Sequence, residues 1–472
     1  MSDDELVRFE MTEEVIDGFR QKRQIPAHFY NNRGQILIYQ KDDITEHEIE
    51  SLLKFTKQGI YYRASDAERL GIKAREIPEG LSDTVVLHET MVEDLCNDTV
   101  SIYENLKESS LTSLHMKKMR TRIDGLFESF EKQPDALIGL IDVLDLMKGV
   151  PQHEVQIAVK RTVIAMAMKT RGMQAQSYKD ANTLHDISTV LMMSALFCDI
   201  GFAKMNIPRG QGISPKQFLY IRQHPLMSYL MMAHVDTDPR VKRNILCQHR
   251  PLREGVTGNN FPPLGWLTEQ IKGYIQRYSS DERKQAIVAD MQQQLEMLAV
   301  EMPYDEDANI LALASEFASL ITPVPWREAI SPQQAVKMII NNSFFTYTDR
   351  IVREFLDYVA ISLCDNQQIL EGGDFLVLAV RPADHKIYFE ACRINYVDRY
   401  QSRPTVQRIA SVTPVIEKIP RLGIKGFTNI RKARAAHYDL ARDSSRNIVF
   451  VVDEKSDPKS YAALQEMAGP WP

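Results

Sequence analysis

Three stretches of the chain decide how the rest of it is interpreted. Residues 194–208 read SALFCDIGFAKMNIP, residues 218–232 read FLYIRQHPLMSYLMM, and residues 245–263 read ILCQHRPLREGVTGNNFPP. Each stretch joins an apolar run to a short polar group, and these groups contain Asp199, His224 and His249. Carboxylate and imidazole side chains are common ligands of divalent ions in proteins. The three stretches therefore frame a candidate metal site.

The order of these groups resembles the HD-GYP family, whose members open cyclic di-GMP at a centre of two or three metal ions. The family signature runs HDIGK…IP, then HP, then HHE, then DGxGYP. Here Cys198 stands at the first His and Phe202 at the Lys. Gln248 and Arg250 stand at the first His and the Glu of HHE, and residues 260–262 end the last motif as Asn-Phe-Pro. The resemblance implies an HD-type helical bundle whose ligand set is degenerate.

The resemblance extends to two further ligand positions. His153, in MKGVPQHEVQIA, matches the opening segment of the family and is a fourth candidate ligand. The closing Asp of the family corresponds to Ser315 in ILALASEFASL. Glu316 cannot simply replace it, because neighbouring helix positions point about 100° apart. Bridged ions need about six donors from several helices, so we expect no catalytic residue here.

The surviving polar groups leave two interpretations open. Asp199, His224 and His249 could hold one divalent ion, or they could be interior groups that hydrogen-bond to one another after the metals were lost. We favour the second and predict no cofactor, with one divalent metal as the alternative. Cys198 could be a zinc ligand, but a small buried residue at a helix end is the commoner role of a free cysteine.

Composition sets the class of protein. The chain has 472 residues, a net charge of −6, 44% hydrophobic residues and 25% charged residues. This balance favours a globular protein and gives no electrostatic reason to expect nucleic acid. The apolar runs at 136–147 and 189–197 are shorter than the ~20 residues of a membrane span, so we expect no membrane insertion. An acidic, polar N-terminal stretch and five scattered cysteines favour a cytoplasmic location.

Periodicity predicts a mainly α protein in four parts. Residues 1–90 form a small α+β module, with a turn signal at 31–34 and a strand in GIYYR. Residues 91–150 form a helical linker, residues 151–345 the degenerate HD-GYP domain, and residues 346–472 a C-terminal β segment with a basic tail.

Several features outside the three stretches have a structural and a functional interpretation. His185-Asp186 repeats the HD dipeptide but lacks the rest of the motif, so we interpret it as the start of a helix. The insertion at 264–307 contains an amphipathic stripe that could pack on its own domain or bind a partner helix. Arg250 and Arg253 could bind phosphate. Clustered cations at Arg431, Lys432 and Arg434 could bind an acidic protein partner, or could belong to a solvated helix and loop.

These observations predict a non-catalytic, HD-GYP-like signalling protein that binds a nucleotide, possibly cyclic di-GMP, a protein partner, or both. The first alternative is a reduced phosphodiesterase or phosphatase with a single metal on Asp199, His224 and His249. The second alternative is a structural component of a protein assembly.

Overall fold

The structure is a computed structural model. The structure describes residues 6–9, 13–30, 36–46, 48–49, 60–63, 66, 69–70, 89–106, 108–132, 147, 150, 152–174, 181–205, 212–251, 260–300, 305–362, 370, 373–381, 386–396, 403–418, 422–454 and 457–469. The chain divides into two compact units, residues 1–84 and 85–472. The finer predicted boundaries at 90, 150 and 345 stay predictions.

The first unit is a small α+β module, as its sequence pattern predicts. Its elements are β1 Leu6–Phe9, α1 Glu13–Lys22, β2 Gln24–Ile25, β3 Phe29–Tyr30, β4 Ile36–Ile38, β5 Lys41–Asp42 and β6 Ile60–Arg63. Four strands form an antiparallel sheet in the order β1-β6-β3-β4, and β2 pairs with β5. Strand β6 confirms the strand predicted in GIYYR. The predicted turn at 31–34 lies outside the described residues.

The second unit begins with helices. They are α2 Glu89–Asn105, α3 Ser113–Lys132, α4 His153–Gln174, α5 Ala181–Phe197, α6 Pro215–Ile221, α7 His224–Met232, α8 Pro239–Cys247, α9 Leu264–Tyr278, α10 Gln285–Ala299, α11 Glu306–Leu320, α12 Pro332–Ser343 and α13 Asp349–Ser362. Helix α4 packs against both α5 and α11, and α8 packs against α5 and α7. The predicted helical fold therefore agrees with this part of the unit.

Six strands and a last helix follow. They are β7 Phe375–Val380, β8 Tyr388–Tyr396, β9 Thr405–Lys418, β10 Leu422–Lys432, β11 His437–Asp439, β12 Arg446–Val452 and α14 Pro458–Ala468. The antiparallel sheet runs β10-β9-β8-β7-β12, with β11 paired to β9. Helix α12 contacts both β12 and β10, and the Asn341 side chain accepts a hydrogen bond from Val451 N at 2.8 Å. The predicted β segment is thus a curved sheet, and much of the basic stretch is strand β10.

The helices and one face of the sheet share a hydrophobic core. Buried residues of α2 to α5 and α11 to α13 pack in one cluster with Leu376, Cys392 and Val451 of the sheet. The window at 186–204 is long and apolar enough to cross a membrane, but 78% of it is buried in this structure. Burial of that kind is typical of a core helix, as the apolar run at 189–197 predicts.

The amphipathic insertion packs on its own domain, the first of the two interpretations of its sequence. Met291 and Leu298 of α10 are buried in a cluster that includes Tyr229 and Leu267, whereas Val300 is exposed. The apolar stripe is therefore largely occupied within the chain. His185 and Asp186 lie in the second turn of α5, so the helix begins earlier than the dipeptide suggested.

Candidate functional site

The candidate site forms where α4, α5, α7 and α11 meet. Asp199 follows the last turn of α5 and is buried. Its Oδ2 accepts a hydrogen bond from Nη1 of Arg161 at 2.5 Å, and its Oδ1 lies 3.2 Å from Nε2 of His224. The chain therefore brings two of the predicted site residues, Asp199 and His224, into direct contact.

Arg161 is the site residue that sequence analysis missed. Its side chain is fully buried on α4 and donates from Nε to Ala195 O at 2.6 Å. Its Nη1 also lies 3.5 Å from Ser315 Oγ, so the guanidinium stands between two positions where the family resemblance places metal ligands. An arginine inside the apolar run VKRTVIAMAM was the available signal, because a buried charge requires a partner.

Asp199 and Arg161 each stabilise the charged form of the other. Burial alone would raise the pKa of Asp199, but the positive charge of Arg161 and the hydrogen bond from His224 outweigh it, so the pKa is lowered. Burial likewise opposes the charged form of Arg161, and the carboxylate of Asp199 outweighs that effect and raises the pKa of the guanidinium. Both groups are therefore ionised at neutral pH.

The two histidines are placed together and are covered by aromatic rings. His224 Nδ1 donates to Ile221 O at 2.8 Å, and its Nε2 lies 3.1 Å from Nε2 of His249. The ring of Phe202 stacks on His224 with centroids 4.5 Å apart, and Phe261 stacks on His249 at 4.2 Å. Phe202 stands where the resemblance places a Lys, so an apolar ring replaces a cation beside the imidazole.

The segment after His249 closes this side of the site. Phe261 N donates to His249 O at 3.1 Å, and the Phe261-Pro262 peptide bond is cis. The buried Arg250 donates from Nη1 to Pro262 O at 2.7 Å. Arg250 therefore holds the backbone of its own chain, and its burial does not suit the predicted role in ligand binding. Arg253 lies outside the described residues.

The backbone at Cys198 is held by two side chains. Cys198 O accepts hydrogen bonds from Ser228 Oγ at 2.6 Å and from Gln248 Nε2 at 2.9 Å. Burial raises the pKa of the Cys198 thiol to about 12, so the side chain is neutral. Gln248 therefore holds the backbone beside Asp199, and Cys198 is a small buried residue just after the end of α5.

His153 lies at the start of α4. Its Nδ1 is 3.3 Å from Glu154 Oε2, and its ring meets Trp326 edge-on at 6.3 Å. Burial lowers the pKa of His153, although the carboxylates of Glu154 and Asp199 both act to raise it. The charge of Asp199 therefore reaches His153, and the role of His153 as a ligand stays a prediction.

The described residues of this site do not supply the set of donors that a centre of two or three metal ions needs. In the part of the chain that the structure describes, no three His, Cys, Asp or Glu side chains are arranged to hold a metal ion. Asp199 already has a positively charged partner, because Nη1 of Arg161 donates to its Oδ2. Serine at position 315 adds no charge.

The predicted basic surface is exposed at the far end of the sheet. Arg431 and Lys432 end strand β10, opposite Ser411 and Ala410 of β9. Arg434 follows in the next segment, and its carbonyl accepts from Arg408 Nε at 2.9 Å. All three cationic side chains face solvent, which leaves the surface open for the predicted partner.

Comparison with known proteins adds one similar fold. No family model matches the chain, and no curated protein matches it. Among solved structures, Bd1817, an HDG"Y"P protein from Bdellovibrio bacteriovorus, is similar with 14% identity and a TM-score of 0.38, over 70% of this chain and 94% of that chain.

Proposed function

We propose that this chain is a non-catalytic signalling protein on an HD-GYP-like helical frame. The observation that carries the proposal is the buried ion pair between Arg161 and Asp199. A hydrolase of this kind needs metal ions to generate hydroxide and to neutralise phosphate charge. A guanidinium neutralises the carboxylate but cannot lower the pKa of a bound water in that way. The site therefore keeps a folded polar centre but lacks the metal ions that hydrolysis would need.

The aromatic rings that cover the two histidines are a second observation in support of a non-catalytic role. Phe202 and Phe261 stack on the two histidines that would otherwise face substrate. We infer that a nucleotide such as cyclic di-GMP, if it binds, contacts the outer side of these rings. Titration of the full chain with cyclic di-GMP tests this step, and binding without hydrolysis is the expected result for a sensor. A protein scaffold would bind no nucleotide.

The decisive experiment combines metal analysis with an activity assay. Protein purified without chelator should contain no stoichiometric divalent metal, and it should not hydrolyse cyclic di-GMP above background with added Mn or Fe. The matched variant is Asp199→Ala, which removes the proposed ion pair. Turnover by the natural chain that Asp199→Ala abolishes would contradict the proposal.

A single-metal phosphodiesterase is the second candidate, and one observation favours it. His224 Nδ1 donates to a backbone carbonyl, which directs Nε2 toward both Asp199 and His249. Metal-binding histidines are commonly oriented by such a hydrogen bond. One equivalent of tightly bound metal, lost in His249→Ala, would support this candidate over the first.

The proposed partner surface is the basic group of Arg431, Lys432 and Arg434. Exposed cations speed encounter with an acidic surface in a salt-dependent way. Charge reversal at these three positions should weaken partner binding most at low salt. Unchanged partner binding at low salt would show that the partner binds to another surface.

A further inference from the structure

A cavity lies between helices α3, α5 and α8, where α5 packs against both of the other helices. Its volume is about 250 Å³, slightly below the roughly 300–1,000 Å³ of pockets that bind drug-sized molecules. It is lined by residues other than those of the Asp199 site. A cavity of this size suits a molecule smaller than a dinucleotide such as cyclic di-GMP.

The base of this cavity is apolar. Met116 of α3, Val190 and Met193 of α5, and Val241 of α8 line it, and all four side chains are buried. Covering such a surface with the apolar part of a ligand removes both from water, which is favourable. A ligand of this cavity should therefore carry an apolar group.

The rim of the cavity carries opposite charges on its two sides. Lys117 and Arg120 of α3 supply two cations, and Asp236, in the segment before α8, supplies a carboxylate. Asp238 also lines the rim, but it is used within the chain. Its Oδ1 accepts from Arg240 N at 2.8 Å, and its Oδ2 accepts from Arg240 Nη2 at 2.7 Å.

The charge of α3 reaches the opposite side of the rim. Burial acts to raise the pKa of Asp238, but the hydrogen bonds from Arg240 and the charges of Arg240 and Arg120 outweigh burial and lower it. The two sides are therefore close enough for one small molecule to contact both.

Several of these charged groups are not used within the fold. Among the residues that the structure describes, neither Lys117 nor Asp236 has an ion-pair partner. Arg120 has two long ion pairs, 3.5 Å to Asp186 and 3.8 Å to Asp124, and its side chain is 55% exposed. Cations and a carboxylate that line one cavity without meeting are separated by its width. A ligand with charges of both signs would bridge them.

The two sides of the cavity are fixed by hydrogen bonds. His234 Nε2 donates to Leu111 O at 2.8 Å, which joins the segment before α8 to the segment before α3. Thr189 Oγ1 donates to Asp124 Oδ1 at 3.0 Å, which joins α5 to α3. A site that is formed before binding loses less conformational freedom when the ligand arrives.

We propose that this cavity binds a small zwitterion with an apolar side chain, either an amino acid or a dipeptide. The carboxylate of the ligand pairs with Arg120 and Lys117, its ammonium group pairs with Asp236, and its side chain lies on the apolar base. Arginine suits the carboxylate because a guanidinium donates two parallel hydrogen bonds. A dipeptide separates its two charges further than an amino acid does, since two extended residues span about 7 Å.

The test is isothermal titration calorimetry of the full chain with leucine and with leucyl-leucine. At least one of the two should bind, with one molecule per chain. Acetylation of its amino group, or amidation of its carboxylate, should weaken binding at least about tenfold, because one charged contact is lost. The matching glycine compound keeps both charges but lacks the side chains, and it should also bind at least about tenfold more weakly.

Two matched pairs of variants locate the ligand. Arg120→Gln and Asp236→Asn should each weaken binding at least about tenfold. Arg283→Gln and Glu282→Gln remove neighbouring exposed charges before α10, and they should leave binding unchanged. Circular dichroism checks that each variant is folded.

Three outcomes would overturn the proposal. If neither leucine compound binds, the cavity is a hydrated depression of the surface. Equally tight binding of the acetylated compound would show that Asp236 does not recognise an ammonium group. Equal binding by Arg120→Gln and the natural chain would place the ligand elsewhere. None of these results depends on metal content or hydrolysis at the Asp199 site, so this proposal and the proposed function fail separately.

Discussion

Nη1 of Arg161 lies 2.5 Å from Oδ2 of Asp199, and neither side chain is more than 9% exposed. The arginine comes from the middle of α4 and the aspartate from the end of α5, so the pair ties two core helices together. A buried pair of this kind is often no more stable than two apolar side chains, but either partner alone is a costly buried charge. We therefore expect a substitution of either residue alone to be more destabilising than a substitution of both would suggest.

We expect Arg161→Met to lower the free energy of unfolding by about 3–5 kcal/mol, because it removes the guanidinium partner of the buried Asp199 carboxylate. Asp199→Asn should have a similar effect on the guanidinium. The double variant should cost less than the sum of the two by about 2 kcal/mol or more, since neither charge remains. Urea unfolding of all four proteins measures the cycle.

A surface ion pair provides the control for this cycle. Lys272 lies 2.8 Å from Glu269, with both side chains more than half exposed. Lys272→Met should therefore change stability by less than about 1 kcal/mol. If Arg161→Met costs no more than Lys272→Met, the pair is not the structural element described above.

The lowered pKa of Asp199 predicts an acid-dependent loss of stability. In the unfolded chain an aspartate titrates near pH ~4, whereas in the fold Arg161 and His224 overcome burial and hold the pKa lower. The stabilisation is therefore fully present above about pH 4 and is lost as pH falls toward the folded pKa. The difference in unfolding free energy between the natural chain and Asp199→Asn should shrink from about pH 4 downward. A constant difference down to acid unfolding would contradict the assignment.

The polar skeleton of the site could be predicted from sequence, but its central contact could not. Motif order was enough to predict that Asp199, His224 and His249 lie together, as the structure places them. Arg161 was not predicted because its partner is 38 residues away, at the end of another helix. Local periodicity indicates only which face of a helix is apolar. Motif order also placed His153 with the site, and its described neighbours are Glu154 and Trp326, with Asp199 close enough to act on its charge.

The sequence predicted the strands of the C-terminal sheet but not which apolar residues are exposed. The sequence predicted a β segment within 346–472, and strands β7, β8 and β9 are found there. The run FLYIRQHP was interpreted through its His and Pro, so the exposure of Phe218, Leu219 and Tyr220 was not anticipated. Apolar residues indicate a buried helix only where another element covers them, and covering depends on tertiary structure.

Lys160, the neighbour of Arg161 on α4, should limit stability at neutral pH. It is buried, its Nζ donates to Thr322 Oγ1 at 2.9 Å, and burial lowers its pKa to about 8. Because the unfolded pKa is about 10.4, charging Lys160 destabilises the fold below about pH 8, and this penalty disappears as pH rises toward 10. Lys160→Met should therefore stabilise the protein at pH ~7 by about 1–2 kcal/mol and lose that advantage near pH ~10.

Lys169 on the same helix is the matched control for Lys160. Burial would lower its pKa, but Asp307 and Glu306 outweigh that effect and raise it. Lys169→Met should therefore destabilise the protein, by about 3 kcal/mol, since it removes the buried cation that Glu306 and Asp307 share. Chemical unfolding across this pH range compares the two variants, and a stabilising Lys169→Met would show that buried charge alone decides both.

The last prediction concerns the backbone beside the site. A Cβ on Gly201 would lie 2.6 Å from Ser228 N and 2.8 Å from His224 O, and both are backbone atoms of α7 that cannot rotate away. Gly201→Ala should therefore lower the free energy of unfolding by about 2 kcal/mol or more, because α7 must move from the turn that follows Asp199.

Gly273 in α9 has nothing within 4 Å of its Cβ position, so Gly273→Ala should stabilise the protein by about 0.5–1 kcal/mol through helix propensity. Thermal unfolding of both variants measures the contrast. Equal effects at the two positions would mean that α7 is not packed as closely on that turn as the structure places it.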